Sequence, residues 1–253
     1  MMASNMSDKL LTIITVTRNC ARTIERTLKS VAPVKSDDVE YIVVDGVSYD
    51  GTLEILEKYS GMIDRFICEP DTGIYNAMNK GIAASRGRFV LFINGDDELI
   101  PDGVKKVLSI LPDCREQIVC AATLVAGSET TPPFSYAPVP KRLMFGDSLP
   151  HPSSFIDRQL LSRFPYREDL KIASDFDFFL RAFLAGASFR IVPYLSALHH
   201  PGGVSSNHKR RKNEVCLVLR DRLGWQRMLY YQAIHVFIRG MRKIAAWFGM
   251  KTS

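Results

Sequence analysis

The sequence predicts an α/β fold: a mainly parallel central sheet flanked by helices, with a helical extension at the C-terminal end. Three observations carry that expectation. Near-continuous apolar strand runs alternate with helix-period segments, polar side chains collect where those strands end, and the charge balance reverses near residue 207. Of 253 residues, 46% are apolar and 24% charged, ordinary globular composition for one α/β domain of roughly 200 residues plus an appendage.

The elements follow in order. LTIITVT (Leu11 to Thr17) reads as a buried strand, and ARTIERTLKSV after it sets Ile24, Leu28 and Val31 at i, i+4 and i+7, an apolar helix stripe. The alternation then repeats through strand EYIVVD, helix GTLEILEKY, a short strand at RFIC, helix GIYNAMNKGIAAS and strand RFVLFIN. Strands apolar along their whole length imply a sheet covered on both faces.

The net charge of +6 divides unevenly. From residue 207 onward there are 11 Lys or Arg against Glu214 and Asp221, while residues 1–206 hold 22 bases and 25 acids. The expected organisation is therefore a domain over 1–206 and a basic amphipathic helical tail over 207–253. The start MMASNMSDK lacks an apolar run behind a basic head, so no secretory signal is expected, and no window is apolar enough for a spanning helix. Five scattered cysteines without a CxxC predict neither a disulfide framework nor a zinc site, which suits a reducing cytoplasm.

In a parallel sheet, ligands sit beyond the carboxyl ends of the strands. Here the first strand ends in Thr17, Arg18 and Asn19, the second in Asp45, and the third in Asn94, Asp96 and Asp97. Asn94 and Asp96 flank Gly95, so both side chains can point one way with room between them. Hard oxygen donors of this kind suit Mg²⁺ or Mn²⁺ completed by water and phosphate oxygens. The plainer alternative is that Asp96 or Asp97 turns the chain or caps a helix. Asp50, before Gly51 and Thr52, reads as a helix cap; Asp45 stands apart, where a carboxylate can accept from a base or ribose.

Four stretches in order, TVTRNCARTIERTLKSV, YIVVDGVSYDGT, EPDTGIYNAMNKGIAASRGRFVLFINGDDEL and ASDFDFFLR, resemble the nucleotide-sugar glycosyltransferases of family 2 with the GT-A fold. The resemblance covers about Leu10 to Ser206, and the third stretch is most similar to members that build bacterial surface polysaccharides. It implies an inverting hexosyl-type transfer from a nucleoside-diphosphate sugar, UDP- or GDP-linked, to a glycan or lipid-linked acceptor. It further implies that Thr17, Asn19 and Asp45 meet the nucleotide, that Asn94 to Asp96 stand for the family's metal-binding Asp-x-Asp, and that Asp175 is the catalytic base. Two positions depart from the pattern: Asn94 replaces the first metal acid, and Ser174 replaces the Glu before the base. Asp96, supported by Asp97, then carries the metal assignment, with Asn94 and Asp96 also toward the nucleotide-sugar.

The helix start at Ser174 and Asp175 has a capping alternative, and Asp177 is a second candidate base. His200, or its neighbour His199, is a candidate third metal ligand beside the Gly202-Gly203 pair, although a lone histidine is more often structural. His151 is placed toward the acceptor. Lys80 and Arg86 either face phosphates or line a solvated helix face. In the tail, Tyr230, Ile234, Phe237, Met241, Ile244 and Phe248 recur at spacings of 3 and 4 among basic residues, which suits an anionic membrane surface at the inner face of the cytoplasmic membrane, or packing on the body. The proline-rich segment from Gly127 to Pro150 is expected as a loop near the acceptor. A binding protein that has lost catalysis and a nucleotidyltransferase are the competing functions; the latter lacks a Gly-rich phosphate loop after the first strand. Nucleic acid is not an expected partner, because the body is acidic and no recognised nucleic-acid-binding motif appears.

Overall fold

The computed structural model describes residues 9–127, 131–203 and 206–234. Its first half is the alternation read above. Strands β1 (Leu11–Thr17), β2 (Val39–Asp45), β3 (Arg65–Cys68) and β4 (Phe89–Phe92) alternate with helices α1 (Ile24–Val31), α2 (Thr52–Lys58) and α3 (Ile74–Ala84). The order β3-β2-β1-β4 is parallel throughout, and Thr17 pairs in register with Asp45 at the carboxyl ends.

Beyond β4 the same sheet becomes mixed. After β5 (Glu98–Leu99) and α4 (Pro101–Leu108) come β6 (Ile118–Val125), β7 (Phe134–Tyr136), β8 (Ser154–Asp157) and β9 (Phe189–His199). The order continues β4-β8-β6-β9-β5, with β8 antiparallel to both neighbours, β9 parallel to β6, and β7 paired antiparallel on β6. Helices α5 (Arg158–Arg163), α6 (Ser174–Leu184) and α7 (His208–Leu223) complete the chain as far as residue 223, and 225–234 are again helical.

Alternation along the strands divides the core in two. Leu11, Ile13, Tyr41, Val43 and Leu91 pack with α1, α2 and α4 on one face, and Ile14, Val16, Val44, Val90 and Phe92 pack with α3, α5, α6 and α7 on the other. Gly81 of α3 is required for that second layer, because a Cβ there would lie 2.6 Å from Ile14 Cγ2. Val215, Val218 and Leu219 of α7 are buried in the same core as Phe176 and Phe179 of α6. The opening of the segment expected as a tail is thus packed on the body. Of the expected amphipathic stripe, Phe237, Met241, Ile244 and Phe248 lie outside the described residues. Among the described residues no helix is long and apolar enough to cross a membrane.

Candidate active site

The carboxyl ends of β1, β2 and β4 converge as the sequence implies, but α1 organises them. One stripe of polar side chains at helical spacing, Thr23 at the helix N-cap and Arg26, Thr27 and Ser30 within it, faces the strand ends. Thr23 Oγ1 donates to the Gly95 carbonyl (2.7 Å), Arg26 Nη2 to the Asp96 carbonyl (2.7 Å) and Thr27 Oγ1 to the Asp97 carbonyl (2.7 Å). Ser30 Oγ accepts from the Leu99 amide (2.9 Å). Each bond satisfies a backbone group of the irregular turn after β4 or of β5, which fixes this segment without consuming its carboxylates.

Within that turn the side chains differ sharply. Asp96 is half-buried, and among the described residues no other residue donates to its carboxylate. Burial, then the neighbouring Asp97 charge, push its pKa above the ordinary carboxylate value. Asn94 Oδ1 and Thr17 Oγ1 are buried oxygens without a hydrogen-bond partner among the described residues. Both flanking glycines are cradles: a Cβ on Gly95 would lie 3.0 Å from Thr17 Oγ1, and one on Gly203 2.4 Å from Asp96 Oδ2. Asp97 is buried and spoken for, its Oδ1 taking His199 Nδ1 and the His200 amide, each at 2.9 Å. That hydrogen bond and charge raise the His199 pKa. His200 Nε2 meets Glu98 Oε1 at 2.7 Å, leaving Nδ1 as its route to a metal. Among the described residues no three His, Cys, Asp or Glu side chains form a ready metal cluster. The donors that remain are one carboxylate and two neutral oxygens, a set that fits a hard divalent cation drawing its other ligands from water and diphosphate.

The nucleotide residues expected at β1 and β2 build a loop. Asp45 is fully buried, and its oxygens accept from the Ser48 amide (2.7 Å) and hydroxyl (2.6 Å). Asn19 donates its amide to Ser48 Oγ (2.8 Å) and accepts from the Tyr49 amide (3.1 Å). The loop holds Val47 at φ 62°, a strained conformation for a β-branched residue, and leaves the Tyr49 side chain 84% exposed. Asp71 closes the loop's other side, since a Cβ on Gly46 would fall 2.2 Å from its Oδ2. Asp50, expected as the cap of α2, sits one residue before the N-cap Gly51, where its Oδ1 accepts from the Thr52 amide (3.1 Å) and hydroxyl (2.6 Å).

Asp175 stands at the start of α6, facing a separate set of groups. Its Oδ1 accepts from Tyr75 OH (3.0 Å) and the Phe176 amide (2.9 Å), and burial raises its pKa. It is not the cap of α6, whose N-cap is Ala173. Glu214 of α7 reaches over that end, taking the amides of Lys171, Ile172 and Ala173 at 2.8 to 3.1 Å. Ser174 is buried with its hydroxyl unpartnered.

Several candidates belong elsewhere. Asp177 is fully buried between Arg181 and Arg222, each at 2.8 Å, so it is an ion-network residue. His151 lies in the core, its ring 5.0 Å from Phe92 and its Nε2 2.8 Å from Tyr166 OH; burial lowers its pKa to about 4. Arg86 pairs with buried Glu40 at 2.7 Å, at the amino ends of the strands, and Lys80 is held by the Pro70 carbonyl (2.6 Å) and Glu69 (2.9 Å). The stripe of α1, Tyr75 and Glu214 were not singled out from sequence, because each acts through residues far along the chain.

A family model described as glycosyl transferase family 2 matches residues 12–167. The chain belongs to glycosyl transferase family 2. It is a glycosyltransferase with the GT-A fold. A PGL/p-HBAD biosynthesis glycosyltransferase of Mycobacterium bovis is 30% identical over 183 residues, 70% of this chain and 71% of the relative. TuaG of Bacillus subtilis, a relative named for teichuronic acid biosynthesis, is 29% identical over 143 residues, 55% of this chain and 57% of its own. Among solved structures, S. aureus TarS in complex with UDP-GlcNAc superposes with a TM-score of 0.68 at 18% identity, covering 85% of this chain and 67% of that one. That likeness concerns the fold.

Proposed function

We propose that this glycosyltransferase moves a sugar, with inversion, from a UDP- or GDP-sugar to a glycan or lipid-linked saccharide during assembly of a bacterial surface polysaccharide. The observation that carries the reading is the Asp96 carboxylate, unpaired among the described residues, at the strand ends where two buried oxygens also lack a described partner, with Asp175 presented from a different element. Relatives named for PGL/p-HBAD and teichuronic acid biosynthesis support the class of product.

Thr17 meets the nucleotide through its unpartnered hydroxyl, while Asp45 and Asn19 shape the pocket by fixing the 46–49 loop. Asp96 and Asn94 would hold Mg²⁺ or Mn²⁺, with Asp97 fixing His199 and the His200 amide beside them; the ion when bound offsets the charge of a diphosphate. The acceptor hydroxyl attacks the anomeric carbon as the bond to the diphosphate breaks, and Asp175 takes the hydroxyl proton. Tyr75 keeps one Asp175 oxygen in place, so the proton goes to a base already oriented. Water-exposed carboxylates are weaker bases than one whose proton affinity burial has raised, which favours Asp175 for this step.

Substituting Asp175→Asn tests the reading: nucleoside diphosphate release from the preferred donor should fall about 10²–10⁴-fold. Unchanged turnover would remove Asp175 from the mechanism; absence of turnover in the wild type toward every UDP- and GDP-sugar would favour a binding protein, consistent with Asn94 and Ser174.

The basic stretch beyond α7 is proposed to dock on anionic lipid at the inner face of the cytoplasmic membrane. A truncation to test it must end after residue 234, since Glu214, Val218 and Leu219 of α7 are built into the body. The full chain should sediment with anionic vesicles and the truncated chain should not; equal sedimentation would refute the docking.

A further inference from the structure

The backbone just ahead of Asp175 is gripped from outside the motif that carries it. Glu214 of α7 is buried, and its two oxygens take three successive amides: Lys171 at 3.0 and 3.1 Å, Ile172 at 2.8 Å and Ala173 at 3.1 Å. Arg210, one turn earlier on α7, donates its Nε to Glu214 Oε1 at 3.0 Å. Ala173 is the N-cap of α6, and Asp175 is the second residue of that helix. From the other side, Lys171 Nζ donates to the Thr72 carbonyl (2.8 Å), and Glu168 accepts from Asn76 (2.9 Å) and Asn79 (3.1 Å) of α3.

We propose that Glu214 is a positioning residue for Asp175: by fixing the three amides ahead of α6, it sets where the first turn of that helix, and the carboxylate on it, stands toward the acceptor. The proposal rests on the assignment of Asp175 as the base.

The Tyr75 hydroxyl and the Phe176 amide both meet Asp175 Oδ1, and the second of these belongs to the same helical turn. They orient the carboxyl group, but the place of the turn itself depends on the irregular 164–173 segment that leads into it. Three converging N–H groups in such a segment call for an acceptor from elsewhere. A carboxylate suits them, because both of its oxygens only accept and its charge strengthens each bond. Val215, Val218 and Leu219 of α7 share a core with Phe176 and Phe179 of α6, so Glu214 acts from a firm platform. Gln at this position keeps the shape but exchanges one accepting oxygen for a donating amide, which cannot serve the same N–H groups.

The test is turnover of the full chain with its preferred UDP- or GDP-sugar, read where thermal melts show each variant folded, with nucleotide calorimetry and a double-mutant cycle. Glu214→Gln should lower kcat about 10–10²-fold, the cost of a misplacement on the order of 1 Å. The nucleotide Kd and the donor KM should keep their wild-type values. Added to Asp175→Asn, Glu214→Gln should cost nothing further, because a residue that acts through Asp175 then has nothing left to position. Arg210 has a side chain 52% exposed, so Arg210→Gln should fold; it should lower kcat by less than Glu214→Gln, and Arg210→Lys should keep it. Wild-type kcat in Glu214→Gln overturns the proposal, as does an equal fractional loss in both backgrounds or a matching loss of nucleotide affinity. Should Glu214→Gln not fold, Arg210→Gln decides, and wild-type kcat there overturns it. Wild-type turnover in Asp175→Asn removes the base assignment and the proposal with it, whereas loss in Asp175→Asn without loss in Glu214→Gln removes the proposal alone.

Discussion

The two halves of the candidate site, one proposed for the donor and one for the acceptor, are built in opposite ways. The donor half, at the ends of β1, β2 and β4, is a parallel sheet whose turn is held by the stripe of a single neighbouring helix, α1. The half proposed for the acceptor has no such local frame: Asp175 of α6 accepts from Tyr75 of α3, and the amides just ahead of α6 are held by Glu214 of α7. The difference teaches that one half draws its order from regular backbone and the other from tertiary packing, and α7 is the member whose loss should damage the second most.

The largest effect that can break this comparison is therefore in α7. Leu219 is fully buried against the α6 layer, so Leu219→Ala should lower stability by about 2–5 kcal/mol. Urea unfolding measures it. A near-neutral result would mean that α7 is not part of the acceptor half's frame.

A comparable effect comes from pH at the seam between the halves. His151, stacked on Phe92 and bonded to Tyr166, has a folded pKa lowered to about 4 from 6.5. Its neutral form is favoured by the fold, so this contribution is complete above the unfolded pKa and is lost as pH falls from 6.5 toward 4. The loss amounts to about 3 kcal/mol. Across that window the melting temperature of the wild type should fall more steeply than that of His151→Gln. Parallel curves would show that His151 protonates freely.

A smaller effect sharpens the account of the donor half. Thr27→Val keeps shape but leaves the buried Asp97 carbonyl without its 2.7 Å donor, at a cost of about 1–3 kcal/mol. Nucleotide affinity should weaken alongside stability, which calorimetry and thermal melts on one sample can compare. Stability lost with affinity intact would separate the stripe from the binding function.

The same contrast explains what the sequence could tell. The strand-helix alternation was legible because β1, β2 and β4 are buried along their whole length and α1 carries an unbroken apolar stripe, so period alone identifies them. Asp96 was legible as a carboxylate at a strand end. The antiparallel insertion of β8 and the pairing of β9 beside β6 were not, because register between distant strands leaves no local pattern. Asp177, the second candidate base on the chain, lies two residues further along α6, a rotation of about 200° to the opposite face, which sends it into Arg181 and Arg222. Glu214, read only as one acid in a basic tail, closes the amino end of α6 from outside the motif.

The measurement that reaches the central claim most directly is calorimetry of UDP and GDP, with and without Mn²⁺, on wild type, Asp96→Ala and Asp175→Asn. If the halves are separate in construction and in task, one nucleotide binds the wild type in a metal-dependent way, Asp96→Ala loses that dependence, and Asp175→Asn keeps it. Binding by Asp96→Ala indistinguishable from wild type, or its loss in Asp175→Asn, would contradict the division of the site into a donor half and an acceptor half.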